Sequence, residues 1–170
     1  MDMLVETYAA DSLSDDTAAR LQAIWQREFG WDRLVYAAPL WYVVGASKGA
    51  LIGRVGIIKR SISVNGRPLE AGGVTGVVTE PDYRRRGVAR RLVGHALEFL
   101  QDEHQVSLAM LTCNRRLGPL YERLGWRIVP GPTEYAQPYG NRVCPGLTMV
   151  AESGSTSWPE GHIDMRGLPW

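Results

Sequence analysis

Three consecutive arginines, Arg84, Arg85 and Arg86, run into Gly87, Val88, Ala89 and Arg90 where a β-branched run gives way to helical periodicity. A helix start carries N–H groups without intrahelical partners and the positive end of the helix dipole, so it attracts anions. Glycine lets the backbone come close to a phosphate, and a guanidinium can pair with two phosphate oxygens at once. The combination suits a pyrophosphate. A solvated turn whose arginines serve solubility is the alternative, and these residues alone leave both readings open.

Two cysteines, Cys113 and Cys144, offer other chemistry. A thiolate near a strand end could take an acyl group, but no Cys-His-acid pattern accompanies Cys113. Neither cysteine has the paired Cys and His spacing of a zinc site, so no metal is expected, and no disulfide framework either.

The elements that must position these groups can be read from periodicity. A strand is expected near Leu4 to Tyr8, then a helix from about Asp15 to Glu28, capped by Ser14 and ended by Gly30, with Leu21, Ile24, Trp25 and Phe29 on one face. Trp41 to Val44, Leu51 to Ile58 and Ser61 to Val64 read as strands of an antiparallel meander, and Asn65-Gly66 is a strong tight-turn signal. Ala71 to Thr79 is a further strand leading into the charged turn Glu80 to Arg86. After that turn Val88, Leu92, Ala96 and Leu100 recur at helical spacing. Val106 to Leu111 is strand-like, Arg115 to Leu124 helix-like with Gly125 at its end, and Trp126 to Val129 begins another strand. Residues 1–150 form the expected domain. Residues 151–170 carry Ser, Gly and Pro with little periodicity and read as a C-terminal tail.

The 170 residues, 45% hydrophobic and 22% charged, suit one domain with a real core. Lys plus Arg (19) nearly balances Asp plus Glu (18), which argues against nucleic acid as a partner. No stretch has the roughly 20 apolar residues of a membrane span, and Met1 to Ala10 lacks a basic start followed by an apolar run. A cytoplasmic protein without a membrane partner is expected.

With these pieces in order, the chain resembles the GNAT superfamily of acyl-CoA transferases. Arg84, Gly87 and Ala89 fit its phosphate loop, Val77-Val78-Thr79 its preceding strand, and Pro81 to Arg84 its lead-in. Asn114, Leu120-Tyr121 and Gly125-Trp126 fit its later pattern. The resemblance implies an α/β (α+β) fold with a mixed, mostly antiparallel sheet splayed at the cofactor site, acetyl-CoA as donor, and pairing of two domains into a homodimer. It places the cofactor on Val77, Val78, Thr79, Arg84, Arg85, Arg86, Gly87, Val88, Ala89, Arg90 and Asn114. Tyr121 would protonate the departing thiolate, whereas without the motif it reads as a core aromatic. The attacking amine needs a proton acceptor, for which Asp32, Glu80, Glu134 and His162 are candidates.

A wider stretch is similar to the aminoglycoside 2'-N-acetyltransferases: Ala50 to Thr79, the Arg-Arg-Gly loop, Leu120-Tyr121 to Trp126, Gly131-Pro132-Thr133, and Arg166 to Trp170. That resemblance implies an aminoglycoside acceptor, antibiotic resistance as the outcome, and an acceptor site at Asp32, Thr75, Gly76, Thr112, Glu134 and Trp170. In that subfamily carboxylates hold the polycation, one of them the free carboxylate of a terminal tryptophan, the position of Trp170 here. Thr75 stands where those enzymes carry a glutamate, and their acidic loop is shortened to Asn141 to Pro145. Fewer negative contacts favour a less cationic substrate, as in the kasugamycin-acetylating branch. Another small amine or a peptide terminus, and a non-catalytic acyl-CoA-binding module, remain as further readings.

Overall fold

The computed structural model describes all residues, Met1–Trp170. Ten strands form one sheet, and three helices pack against it. The first strand, β1 (Leu4–Ala9), leads to α1 (Asp15–Phe29). The Ser14 side chain caps α1 by accepting from Thr17 N–H at 3.3 Å, and Gly30 closes it by donating to the Gln26 carbonyl at 2.8 Å. After an irregular segment, β2 (Trp41–Ser47), β3 (Ala50–Val64) and β4 (Arg67–Thr79) make the meander.

The runs expected at 51–58 and 61–64 are one continuous strand. Lys59 and Arg60 do not interrupt β3 because they stay in register with Gly72 and Ala71 on β4. Their charges are also met: Lys59 pairs with Glu70 at 3.3 Å, and Arg60 donates to the Met165 and Leu168 carbonyls. The first half of β3 pairs with β2, and its last residues pair with a late strand, β10 (Ile163–Asp164). The tight turn at Asn65-Gly66 starts β4 at Arg67 rather than at Ala71.

Next come α2 (Val88–His104), β5 (Leu108–Cys113) and α3 (Gly118–Glu122). The helix expected over 115–124 is divided. Asn114 accepts from Arg116 N–H at 3.0 Å and organises a 3-10 turn at Arg115–Leu117, and Pro119 then sits in the first turn of the short α3. The remaining strands are β6 (Arg127–Val129), β7 (Thr133–Tyr135), β8 (Arg142–Val143), β9 (Leu147–Glu152) and β10 (Ile163–Asp164).

Alternation along β4 and β5 sends side chains to two cores. On one face α2 buries Leu92, Val93, Ala96 and Leu100 against Ile52, Val74 and Ala109. On the other, Ile58, Ile62, Ala71 and Met110 meet residues of the last segment, Trp158, Ile163, Met165 and Trp170. Residues 151–170 are therefore threaded into the sheet and its second core.

One rung decides the shape of the site. β4 and β5 run parallel and pair only through Gly72↔Ala109 and Gly73↔Met110. Beyond it the β3–β4 register slips between Arg54 and Gly56, and Gly76 takes φ +54. A bulge of this kind bends its strand. The two strands part and leave their edges facing each other across a cleft. No helix is long and apolar enough to cross a membrane.

Candidate active site

A cavity of about 620 Å³ opens where β4 and β5 separate. Val77 on β4, Thr112 and Cys113 on β5, and Asn114 line it, together with Thr75 and Gly76 from the bulge. Tyr121 of α3 also lines it, and Asp32 and Trp170 complete the expected residues found there.

Glu134 does not join them. Strand alternation turns Tyr135 to the cavity and sends Glu134 the other way, where it accepts from Asn141 at 2.7 Å and pairs with His162 at 3.3 Å. Two of the candidate bases are thereby spent on each other, and Glu80 is paired with Arg27 at 3.2 Å. Asp32 alone of the four lines the cavity. Its carboxylate accepts from the Leu34 N–H at 3.1 Å and from the Tyr36 hydroxyl at 2.5 Å.

The phosphate-loop residues lie at the other end of β4. Val78 is buried in the core, and Thr79 ends the strand. Gly87 adopts φ +79 as the residue before α2, offers no side chain to cap it, and has open space where a Cβ would stand. The first turn of α2 contains no acidic residue. Its orphan N–H groups thus meet no anion from the chain itself, and the cradle fits a pyrophosphate. Val88 is buried and anchors the turn, while Arg85 and Arg90 are exposed beside it and Ala89 is half-buried. Arg86 lies over the Tyr83 ring at 5.6 Å. Arg84 instead braces the loop: it donates to the Thr79 carbonyl at 3.1 Å and to Glu28 on α1 at 2.9 Å.

Tyr121 is buried and packs edge-on to Trp126 with centroids 6.1 Å apart. Burial, and then the neighbouring Cys113, push its pKa well above the usual phenol value, so it holds its proton throughout the neutral range. Burial also pushes Cys113 up to about 11, with Cys144 adding to the effect. Cys113 is therefore a neutral thiol and a poor nucleophile near pH 7.

Several lining residues escaped the sequence reading. Trp25 and Phe29 looked like the core face of α1, yet Leu21 and Ile24 take the core and the two aromatics face the cavity. Trp31, Tyr36, Tyr135 and Pro169 add to the wall. Their signal was an aromatic-rich stretch, Phe29 to Tyr36, without strand or helix periodicity; Tyr135 and Pro169 gave none.

The splayed sheet, the open helix start and the cleft between them define an acyl-CoA transferase architecture. A family model described as an acetyltransferase (GNAT) domain matches residues 10–129, and the chain belongs to that family. The fold is one that binds acetyl-CoA. Solved structures agree. ElaA from Escherichia coli superposes with TM-score 0.65 at 16% identity, covering 89% of this chain and 100% of that one. The Escherichia coli GNAT family N-acetyltransferase YhbS, solved in complex with CoA, gives 0.60 at 19% identity over 96% and 89%. An acyl-CoA N-acyltransferase from Pseudomonas aeruginosa gives 0.63 at 14% identity over 88% and 99%. At such identities the likeness shows the fold alone.

Proposed function

We propose that this acetyltransferase moves acetyl from acetyl-CoA to an amine of a lightly charged aminosugar, an aminoglycoside of the kasugamycin type being the leading case. The observation that carries the reading is the makeup of the cavity. Asp32 is the one carboxylate side chain among its lining residues, set between aromatic walls from Trp25, Trp31 and Tyr36, and the same space runs to Tyr121. Aromatic faces attract an ammonium and cover the apolar face of a sugar ring, and a carboxylate then fixes the amine. One carboxylate side chain matches few amines better than a polycation.

Acetyl-CoA, when bound, supplies the activated acetyl group. In this reading the α2 start and the basic residues Arg85, Arg86 and Arg90 hold its pyrophosphate. The unpaired edge of β4 from Val77 to Thr79, with Asn114 opposite, guides its arm. Asp32 orients the acceptor and takes its proton directly or through water, and Tyr121 Oη gives a proton to the departing sulfur.

The test is a thiol-release assay over a panel: kasugamycin, a 4,6-linked aminoglycoside, spermidine and a short peptide with a free N-terminus. The highest kcat/KM is expected for kasugamycin. Preference for spermidine or the peptide would overturn the aminosugar assignment. CoA binding without turnover of any amine would make the chain a binding module.

A further inference from the structure

Gln137 follows β7, beyond the region matched by the family model, and its side chain is 6% exposed. The amide reaches across to the irregular segment between α1 and β2. There its carbonyl accepts from Val35 N–H at 2.9 Å, and its NH₂ donates to the Val35 carbonyl at 2.9 Å and to the Ala136 carbonyl at 2.9 Å. Both backbone groups of Val35 are satisfied by this one side chain, as a rung of sheet would satisfy them.

The residues flanking Val35 belong to the cavity wall. Leu34 and Tyr36 line it, and both donate to Asp32, from the Leu34 N–H and the Tyr36 hydroxyl. Residues 34–39 have no helix or strand of their own. Besides Gln137, the segment is tied by Ala37 N–H donating to the Pro169 carbonyl at 2.8 Å and by Leu40 N–H donating to Ile57 at 2.8 Å. The position of the cavity's carboxylate thus depends on a short irregular stretch, and the tie nearest to it is a buried amide from a different part of the chain.

We infer that Gln137 is a positioning residue for acceptor recognition, clamping Val35 so that Asp32 and Tyr36 present a fixed anionic anchor to the substrate amine. This rests on the acceptor reading given above. It acts on acceptor binding and leaves the cofactor side alone, because no hydrogen bond of Gln137 touches β4, α2 or the loop between them.

The experiment compares wild type, Gln137→Met, Gln137→Glu and Asp32→Asn, using kasugamycin and spermidine as acceptors. Met keeps the length without hydrogen bonds, and Glu keeps the acceptor for Val35 N–H while losing the donor. Amide hydrogen exchange at Val35 and CoA binding by calorimetry are measured in the same samples. Gln137→Met is expected to raise acceptor KM about tenfold and speed Val35 exchange by at least as much, the scale of one buried hydrogen-bond pair lost. Glu, which turns a carboxylate oxygen toward the Val35 and Ala136 carbonyls, should raise acceptor KM as well, with CoA affinity within about twofold of wild type in both Gln137 variants. Should the Met variant fail to fold, the Glu variant carries the comparison. Faster Val35 exchange with unchanged acceptor KM would overturn the proposal, as would an equal loss of CoA affinity. If Asp32→Asn has no effect on acceptor KM or no amine in the panel is acetylated, the acceptor reading itself fails, and this inference with it.

Discussion

The Trp170 indole N–H donates to the Met110 carbonyl at 3.1 Å, on the last rung that joins β4 to β5. The ring lies against Gly73 so closely that a Cβ there would come within 2.5 Å of it. Arg60 stacks over the same ring at 5.0 Å from its centroid while holding the carbonyls of Met165 and Leu168. Trp170 is the wedge at the apex of the fork, and it also lines the cavity.

Removing the wedge should therefore cost stability as well as acceptor binding. Trp170→Ala is expected to destabilise by about 3–5 kcal/mol, the range for a large buried aromatic. Trp170→Phe, which keeps a ring and loses the donor to Met110, should cost about 1–3 kcal/mol. Urea midpoints check both values. A stable Trp170→Ala protein with only acceptor KM changed would show that the ring is a substrate contact without a structural share.

At Gly87 the protein itself leaves room for a side chain, so two effects can be separated. Ala or Val at φ +79 meets strain of about 1–2 kcal/mol, whereas Asn tolerates that region. Gly87→Asn should keep its melting temperature near wild type yet lose roughly tenfold or more in CoA affinity by crowding the open helix start. Full CoA affinity in the folded variant would remove the pyrophosphate from this place.

Tyr121→Phe should preserve CoA binding and lower kcat by about 10²- to 10⁴-fold, the usual worth of a positioned general acid. The pKa shift is upward, so the phenol stays protonated in the folded state past the ordinary value near 10. Wild-type kcat should show no alkaline loss from this group below pH 10. In the window above 10 the unfolded chain gives up the proton first, so this group's contribution to stability falls as pH rises. Turnover of the Phe variant within threefold of wild type would assign the proton to water.

Cys113→Ala is expected to retain kcat within a few-fold. Burial keeps the thiol protonated at neutral pH, and its Sγ faces Met149 Sδ at 3.9 Å with no histidine beside it. An acetyl adduct on Cys113, trapped by rapid quench and seen by mass spectrometry, would contradict direct transfer to the amine.

Arg54 is a buried arginine without a carboxylate partner. It is 2% exposed, donates to the Leu21 carbonyl at 3.1 Å, sits over Tyr42 at 4.8 Å and leaves Nε unpaired. Burial lowers its pKa to about 10, still charged at neutral pH. An apolar side chain of similar length avoids the desolvation of that charge. Arg54→Met should stay within about 1 kcal/mol of wild type or exceed it, whereas Arg54→Ala should lose about 2–4 kcal/mol through the cavity it opens. Chemical denaturation of the two variants distinguishes packing from charge.

The parts that were legible in the sequence are those set by local rules. Ser14 and Gly30 bound α1 because a hydroxyl and a glycine satisfy helix ends wherever they occur, and Asn65-Gly66 turns β3 into β4 by its own backbone preference. The same holds for α2, whose apolar spacing and uncapped start at Gly87 lie within one short stretch. Such signals need no distant partner; the resemblance to the family rested instead on the motif residues Arg84, Gly87 and Ala89 with Asn114, Leu120-Tyr121 and Gly125-Trp126.

What remained hidden depends on residues far apart in sequence. Glu134 and Tyr135 could exchange faces with a one-residue change of register, and only the pairing of β7 with β8 and β10 decides which one meets the cavity. Lys59 and Arg60 looked like an interruption until Glu70 and the carbonyls of Met165 and Leu168 met their charges. The aperiodic last segment gains its order by pairing Ile163 with Val64 and by burying Trp158, Met165 and Trp170. Asp32 stands in the cavity on a segment held by Gln137 from 102 positions away. Local propensity assigns helices and turns because their hydrogen bonds close within a few residues; the walls of the site come from long-range pairing and burial, whose partners are chosen only when the chain has folded.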